Sequence, residues 1–325
     1  MLTDIIARFL TIPVKNASKI IELIRFEKNW HALAGHPQVV TQKDFIQLLK
    51  VICQEAWFKG HDRALLGDVI LDKPTRATYY ELLTGIGLTA AIHYPADLPT
   101  PAYAIMFGSS EAKISARVNF LKEDLITGMS LQSNQIYVLS CNRELGVSVP
   151  ETEAHSRQAL QKLGRDLTEM KMCMLYMETM LASLEKLNKV LPVIVPIEIV
   201  TDSSSRQENH SVKTADTVIP LKEILDKMPR TDKPILIAYS CQPHILRQQQ
   251  DAQQILGDNY EVVGVGAPLD WENFNSNLTS ISNCCGEISR LIYLNSLLLA
   301  SRPEFETRLT PGEEQELLDL QKESA

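Results

Sequence analysis

The chain has 325 residues, a formal charge of -8, and 45% hydrophobic and 22% charged residues, enough to bury one large core or two modest ones. This composition excludes a chain disordered throughout. The acidic balance excludes the broad basic face with which proteins displace counterions from nucleic acid, but leaves room for a small anion in a local pocket. Six cysteines, at positions 53, 141, 173, 241, 284 and 285, show neither a CxxC pair nor zinc-site spacing, and they are read as reduced thiols. The seven histidines are scattered, so no metal is expected.

Residues 1–24 are apolar but interrupted by Asp4, Arg8, Lys15 and Lys19. With no small-residue cleavage site, neither a signal peptide nor a membrane span fits, and a cytoplasmic location is expected. Apolar residues recur at helical spacing as Ile5, Ile6, Phe9 and Leu10, then Ile20, Ile21, Leu23 and Ile24, then Phe45, Leu48, Leu49 and Ile52. This predicts an N-terminal helical domain over residues 1–97. Thr41 followed by Asp44 marks a helix start, with Pro37 separating that helix from the one before. The stretch 94–101 carries three prolines and reads as a linker.

Beyond it, short apolar runs at 102–107, 135–139, 193–200, 235–239 and 260–265 alternate with helical stretches at about 111–127, 151–189, 216–228, 243–256 and 279–300. Such alternation predicts an α/β fold over 98–302, with a Rossmann-like, mostly parallel sheet flanked by helices. Met170, Met174 and Met177 are read as a packing face rather than a cofactor box. Residues 303–325 read as a short acidic tail, solvated or frayed. Its glutamate run also resembles the C-terminal signals of bacterial type IV secretion effectors, which would imply export into a host cell.

Ligands of open parallel sheets sit beyond the carboxyl ends of the strands, and four polar clusters fall there. Gly108-Ser109-Ser110 offers backbone amides for an anion, with Arg117 following on the helix; a tight turn with a serine cap and a surface ion pair explain them equally. Arg143 presents a planar donor fork that Glu144 can orient, and a solvated loop is the plain alternative. The third cluster is Thr201 to Arg206; beyond it Thr214, Asp216 and Thr217 open a helix, as caps or as groups reaching back to a ligand. In the fourth, Gln242, His244, Arg247 and Gln248 follow a buried run, with Pro243 expected in the first helical turn. His244 beside a positive helix end is disfavoured as imidazolium, so it can accept a proton; a structural role is the commoner fate of a lone histidine. Cys241 is read as a buried inert thiol rather than a nucleophile.

The strand 102–107 with Gly108, then Arg117 and Phe120-Leu121, then Ile136-Tyr137-Val138-Leu139-Ser140 with Arg143-Glu144-Leu145, then Thr214-Ala215-Asp216-Thr217, then Gln242-Pro243-His244 and Arg247-Gln248 together resemble the SanA/ElyC/YdcF superfamily. The likeness spans about residues 102–265. It implies a Rossmann-like domain whose strand-end residues surround one pocket, with nucleotide-type ligands such as S-adenosylmethionine. Ser109 stands where the superfamily has a second glycine, and Ser140-Cys141-Asn142 replaces its glycine-rich turn. The expectation is therefore a pocket for a nucleotide or other small anion. Gly108, Ser109, Arg117, Arg143, Glu144, Thr214, Thr217, Gln242, Arg247 and Gln248 would hold it, and His244 and Asp216 would move protons. No cofactor is identified, and transferase or hydrolase activity is left open. The competing expectation is a non-catalytic interaction protein that uses its N-terminal helices.

Overall fold

A computed structural model describes residues 1–27, 39–57, 71–142, 157–164, 167–199, 214–228, 233–269 and 278–323. The chain forms two compact units, Met1–Ala90 with Leu269–Ala325, and Ala91–Pro268.

The second unit holds the sheet. Its elements are β1 (Tyr103–Phe107), α5 (Glu111–Thr127), β2 (Gln135–Cys141), α6 (Arg157–Leu163), α7 (Glu169–Lys186), β3 (Val193–Ile199), α8 (Thr214–Leu225), β4 (Ile235–Cys241), α9 (Ile245–Leu256) and β5 (Glu261–Ala267). The strands lie in the order β3-β2-β1-β4-β5 and every pair is parallel. Each of the five apolar runs is thus a strand. β2 and β4 continue two residues past the apolar stretch, because pairing with β3 and β5 carries Ser140, Cys141, Ser240 and Cys241 into the ladder. β3 is an outer strand, which is why it tolerates Pro196.

Alternate strand residues feed two cores, as a period of two requires. Ala104, Met106, Ile136, Val138, Ile237 and Tyr239 pack with Ile114 and Val118 of α5 and Met170, Cys173, Met177 and Met180 of α7. Ile105, Phe107, Tyr137, Leu139, Leu236 and Ala238 pack with Val218 and Leu221 of α8 and Ala252 and Leu256 of α9. The methionines are packing residues, with Met174 partly buried at the margin.

The helix expected over 151–189 is two helices. α6 ends at Gly164, whose φ of 75° suits glycine and whose amide donates to Leu160. α7 begins at Thr168, whose hydroxyl accepts from the Lys171 amide at 3.2 Å. The proline-rich stretch belongs to this unit as well: the Gln132 amide donates to the Pro101 carbonyl at 2.9 Å, and just before the stretch Ile92 bridges Gly266 antiparallel and His93 stacks on Phe120 with ring centroids 4.9 Å apart.

The first unit comprises α1 (Leu2–Leu10), α2 (Val14–Phe26), α3 (Gln42–Trp57), α4 (Lys73–Ile86), α10 (Leu278–Leu297) and α11 (Pro311–Glu323). The N-terminal helices bury the faces read from their spacing, with Ile5, Ile6, Phe9 and Leu10 all fully buried. Thr41 and Asp44 form a reciprocal capping box at 2.8 and 3.1 Å. α10 packs along α3, so these units divide the chain differently from the segments 1–97, 98–302 and 303–325. The acidic tail is not frayed: it is the helix α11, started by a second capping box between Thr310 and Glu313. α11 buries Leu317 and Leu320 and accepts the Leu2 amide on Glu316 at 2.9 Å. No helix among the described residues is long and apolar enough to cross a membrane.

One polar pair in the second unit has a measurable pH signature. The Tyr239 hydroxyl donates to Asp124 Oδ2 at 2.7 Å. Burial raises the Asp124 carboxyl above its ordinary range, opposed by the Tyr239 hydrogen bond and by His93, with Glu123 adding to the rise. A raised folded-state value means the folded chain holds that proton more tightly, so the contribution is complete below the unfolded value of about 3.9 and fades as pH rises through the folded value. Asp124→Asn keeps an acceptor for Tyr239 and removes the titration. Urea midpoints at about pH 4 and about pH 7 are expected to show the variant gaining on the wild type as pH rises; an unchanged difference refutes this.

Candidate functional site

Where β1 and β4 run side by side, their crossovers part. α5 packs into one face of the sheet and α9 into the other. In open parallel sheets the crevice left at such a switch point is where ligands bind.

The first structural feature there is a buried clamp. Arg117, 1% exposed, donates through Nη1 to the carbonyls of Phe107 at 2.6 Å and Gly108 at 3.0 Å. Its Nη2 lies 3.5 Å from Gln248 Oε1, at the limit of a hydrogen bond, and Gln248 also accepts the Ser240 hydroxyl. This network ties the starts of α5 and α9 to the tips of β1 and β4. Arg117 Nε has no hydrogen-bond partner among the described residues.

The second is a carboxylate that sequence reasoning missed. The Gly108 amide donates to Leu139 at 2.6 Å, so it is taken up inside the sheet. A Cβ on Gly108 would collide with Glu169 Oε1 and Ser140 Oγ, so this position is glycine because a buried carboxylate fills the space beside it. Ser140 Oγ donates to Glu169 Oε1 at 3.0 Å, and the Cys141 thiol lies 3.8 Å from Oε2. The neighbouring Cys173 thiol is pushed up to about 12, by burial first and then by Glu169. Glu111, at the first turn of α5, is also buried; it accepts the Tyr176 hydroxyl at 2.8 Å and the Gln158 amide at 3.0 Å. Tyr176 is pushed up to about 12, by burial and then by its bond to Glu111. The only sequence signal for Glu169 was its place directly after the capping Thr168.

The third is a basic pair. Lys113 Nζ lies 2.8 Å from His244 Nε2, partly buried, with one group on α5 and the other just before α9. The segment holding His244 is a turn in which the His244 amide donates to Cys241 at 2.9 Å and the Gln242–Pro243 bond is cis. Pro243 therefore sits in this turn before α9, not in the helix as expected; the two extra residues of β4 displace the helix start to Ile245. Lys113 is likewise new, because nothing in the sequence distinguishes it from other surface lysines.

Of the remaining expected residues, Arg247 and Thr214 come together. Gln242 is buried and its amide donates to Ala267 at 3.0 Å. Arg247 pairs with Asp251 at 2.8 Å and donates to Thr214 Oγ1 at 3.2 Å, linking α9 to α8. Thr217 donates to the Thr214 carbonyl at 2.8 Å, a bond within its own helix. Asp216 is exposed on α8. Ser109 is half-buried in the turn after β1, and Ser110 takes the N-cap position of α5 without a side-chain cap bond. Arg143, Glu144 and the cluster 201–206 lie outside the described residues. No group of three or more His, Cys, Asp or Glu among the described residues is arranged to hold a metal ion.

Comparisons with protein-family models, with curated proteins and with solved structures find no match for this chain.

The packing of Glu169 on Gly108 makes a direct prediction. Gly108→Ala is expected to cost about 1–3 kcal/mol by overpacking, measured by denaturant unfolding. Adding Glu169→Ala should recover part of that loss, with a coupling of at least about 0.5 kcal/mol; strict additivity counts against the contact.

Proposed function

We propose that this chain binds a nucleotide or another small anion at the β1/β4 switch point, as its resemblance to the SanA/ElyC/YdcF superfamily suggests. The observation that carries the reading is the Lys113–His244 pair, two basic groups from adjacent helix starts held 2.8 Å apart beside the switch point of an all-parallel sheet. The reading shifts the anion contact from the Gly108 amide and Arg117, both engaged in internal hydrogen bonds, to Lys113 and His244. Arg117 and Gln248 then act as scaffold, and His244 is the group able to exchange a proton with a bound ligand. Transferase or hydrolase chemistry would be built on that exchange.

A specific observation also favours the rival reading of a non-catalytic interaction protein. Gly108, Arg117, Gln248 and Arg247 each make hydrogen bonds within the chain, as in a strand-end surface that is mainly structural. Under that reading the N-terminal helices would meet a protein partner, and export as an effector would suit it.

Thermal unfolding with a panel of adenosine, AMP, ADP, ATP and S-adenosylmethionine separates the two. A ligand at a hundred times its Kd adds about 2.7 kcal/mol, expected to raise the midpoint by roughly 5–10 °C. That rise should shrink in Lys113→Ala and in His244→Ala. Absence of any rise, or equal rises in both variants, would overturn the binding reading and leave the rival.

A further inference from the structure

A strand points its amides to alternate sides, so an outermost strand leaves every second N–H without a neighbouring strand to accept it. β5 is such a strand. Its Glu261 amide donates to Pro234 and its Ala267 carbonyl accepts from Gln242, so the odd-numbered residues face β4 while Val262, Gly264 and Gly266 face outward. Each of those three amides has an acceptor all the same. Val262 donates to Gln253 Oε1 at 2.8 Å, Gly264 to Gln249 Oε1 at 3.1 Å and Gly266 to the Ile92 carbonyl at 2.9 Å.

Gln249 and Gln253 stand on one face of α9, the helix that packs along β5. Four residues of helix advance about 6 Å and two residues of strand about 6.6 Å, so the two carboxamides repeat at nearly the interval of the outward N–H groups. Gly264 permits the approach, because a Cβ there would lie 2.7 Å from Gln249 Oε1 and 3.0 Å from its Cβ. Gln253 Nε2 donates to the carbonyls of Gly257 and Tyr260 at 3.0 Å each, which holds its oxygen toward Val262.

We infer that Gln249 and Gln253 are an edge guard: with Ile92 they take the place of a sixth strand on β5 and keep a second copy of this chain from pairing there. An open edge is a template for another chain, and two copies of one edge can pair antiparallel about a twofold axis, each supplying the same donors and acceptors. The opposite edge is blunted by other means. The Val193 amide donates to Asn134, so residues 194, 196 and 198 of β3 face outward, and Pro196 in their middle carries no N–H. This guard is independent of what the strand ends bind.

Gln249→Ala combined with Gln253→Ala removes both acceptors and is expected to give concentration-dependent self-association that the wild type lacks, read as molar mass by light scattering. In the dilute double variant the Val262 and Gly264 amides should exchange with solvent deuterium at least about tenfold faster than in the wild type. Their exchange should slow again as concentration rises, because the second copy then covers them. Gln249→Glu keeps an acceptor and should match the wild type. A folded double variant that holds the wild-type mass at every concentration overturns the inference, as does one that associates while Val262 and Gly264 stay open to exchange. If the double variant does not fold, Gln249→Ala alone answers the same two questions at Gly264, since it leaves the Gln253 bonds in place.

Discussion

Parallel strands cannot be joined by a tight turn, so each must be followed by a crossover that covers one face of the sheet or the other. In this chain the crossovers after β1 and β2 cover one face, and those after β3 and β4 cover the other. The change of face occurs at the neighbouring strands β1 and β4. That constraint brings two helix starts, α5 and α9, to one place, and with them Lys113, Arg117, His244 and Gln248. It also leaves the carbonyls at the end of β1 beyond the ladder, where they need donors in a nearly dry setting.

Arg117 answers that need. An arginine buried to 1% exposure carries a large desolvation cost unless its N–H groups are used, and two backbone carbonyls and Gln248 engage its terminal nitrogens. The same logic fixes Gly108, whose missing side chain leaves room for the Glu169 carboxylate and the Ser140 hydroxyl. Glycine and arginine close to a strand end can serve an anion, or they can serve the protein itself. Here both are held in internal hydrogen bonds, and the basic groups set together beside the switch point are Lys113 and His244. The electrostatic character of the strand ends is therefore mixed, with buried carboxylates at Glu111 and Glu169 on the β1–β2 side and a basic pair between α5 and α9.

The first unit shows how short polar signals set boundaries. Thr41-Asp44 and Thr310-Glu313 both form capping boxes, and each starts a helix whose apolar face is buried. The tail looked solvated because its glutamates dominate the count. Yet Leu317 and Leu320 lie on one face, and Glu313 and Glu316 accept from backbone amides of Thr310 and Leu2. Charge content described the outer face of that helix, while the spacing of two leucines decided its inner one.

The amino-acid sequence by itself determined the five strands, their helical crossovers and the parallel class, because hydrophobic period and run length follow from local geometry. It also marked the start of α3, through Thr41 and Asp44, but not the break at Gly164 and Thr168 or the helix start at Thr310. Strand order did not follow from it, since order depends on which edge each crossover returns to. Nor did the sequence reveal the partnership of Lys113 with His244, 131 residues apart, or that of Gly108 with Glu169. Only the tertiary structure decided which polar groups at the strand ends satisfy the backbone and which face one another, because hydrogen-bond partners and desolvation depend on distance in space rather than distance along the chain.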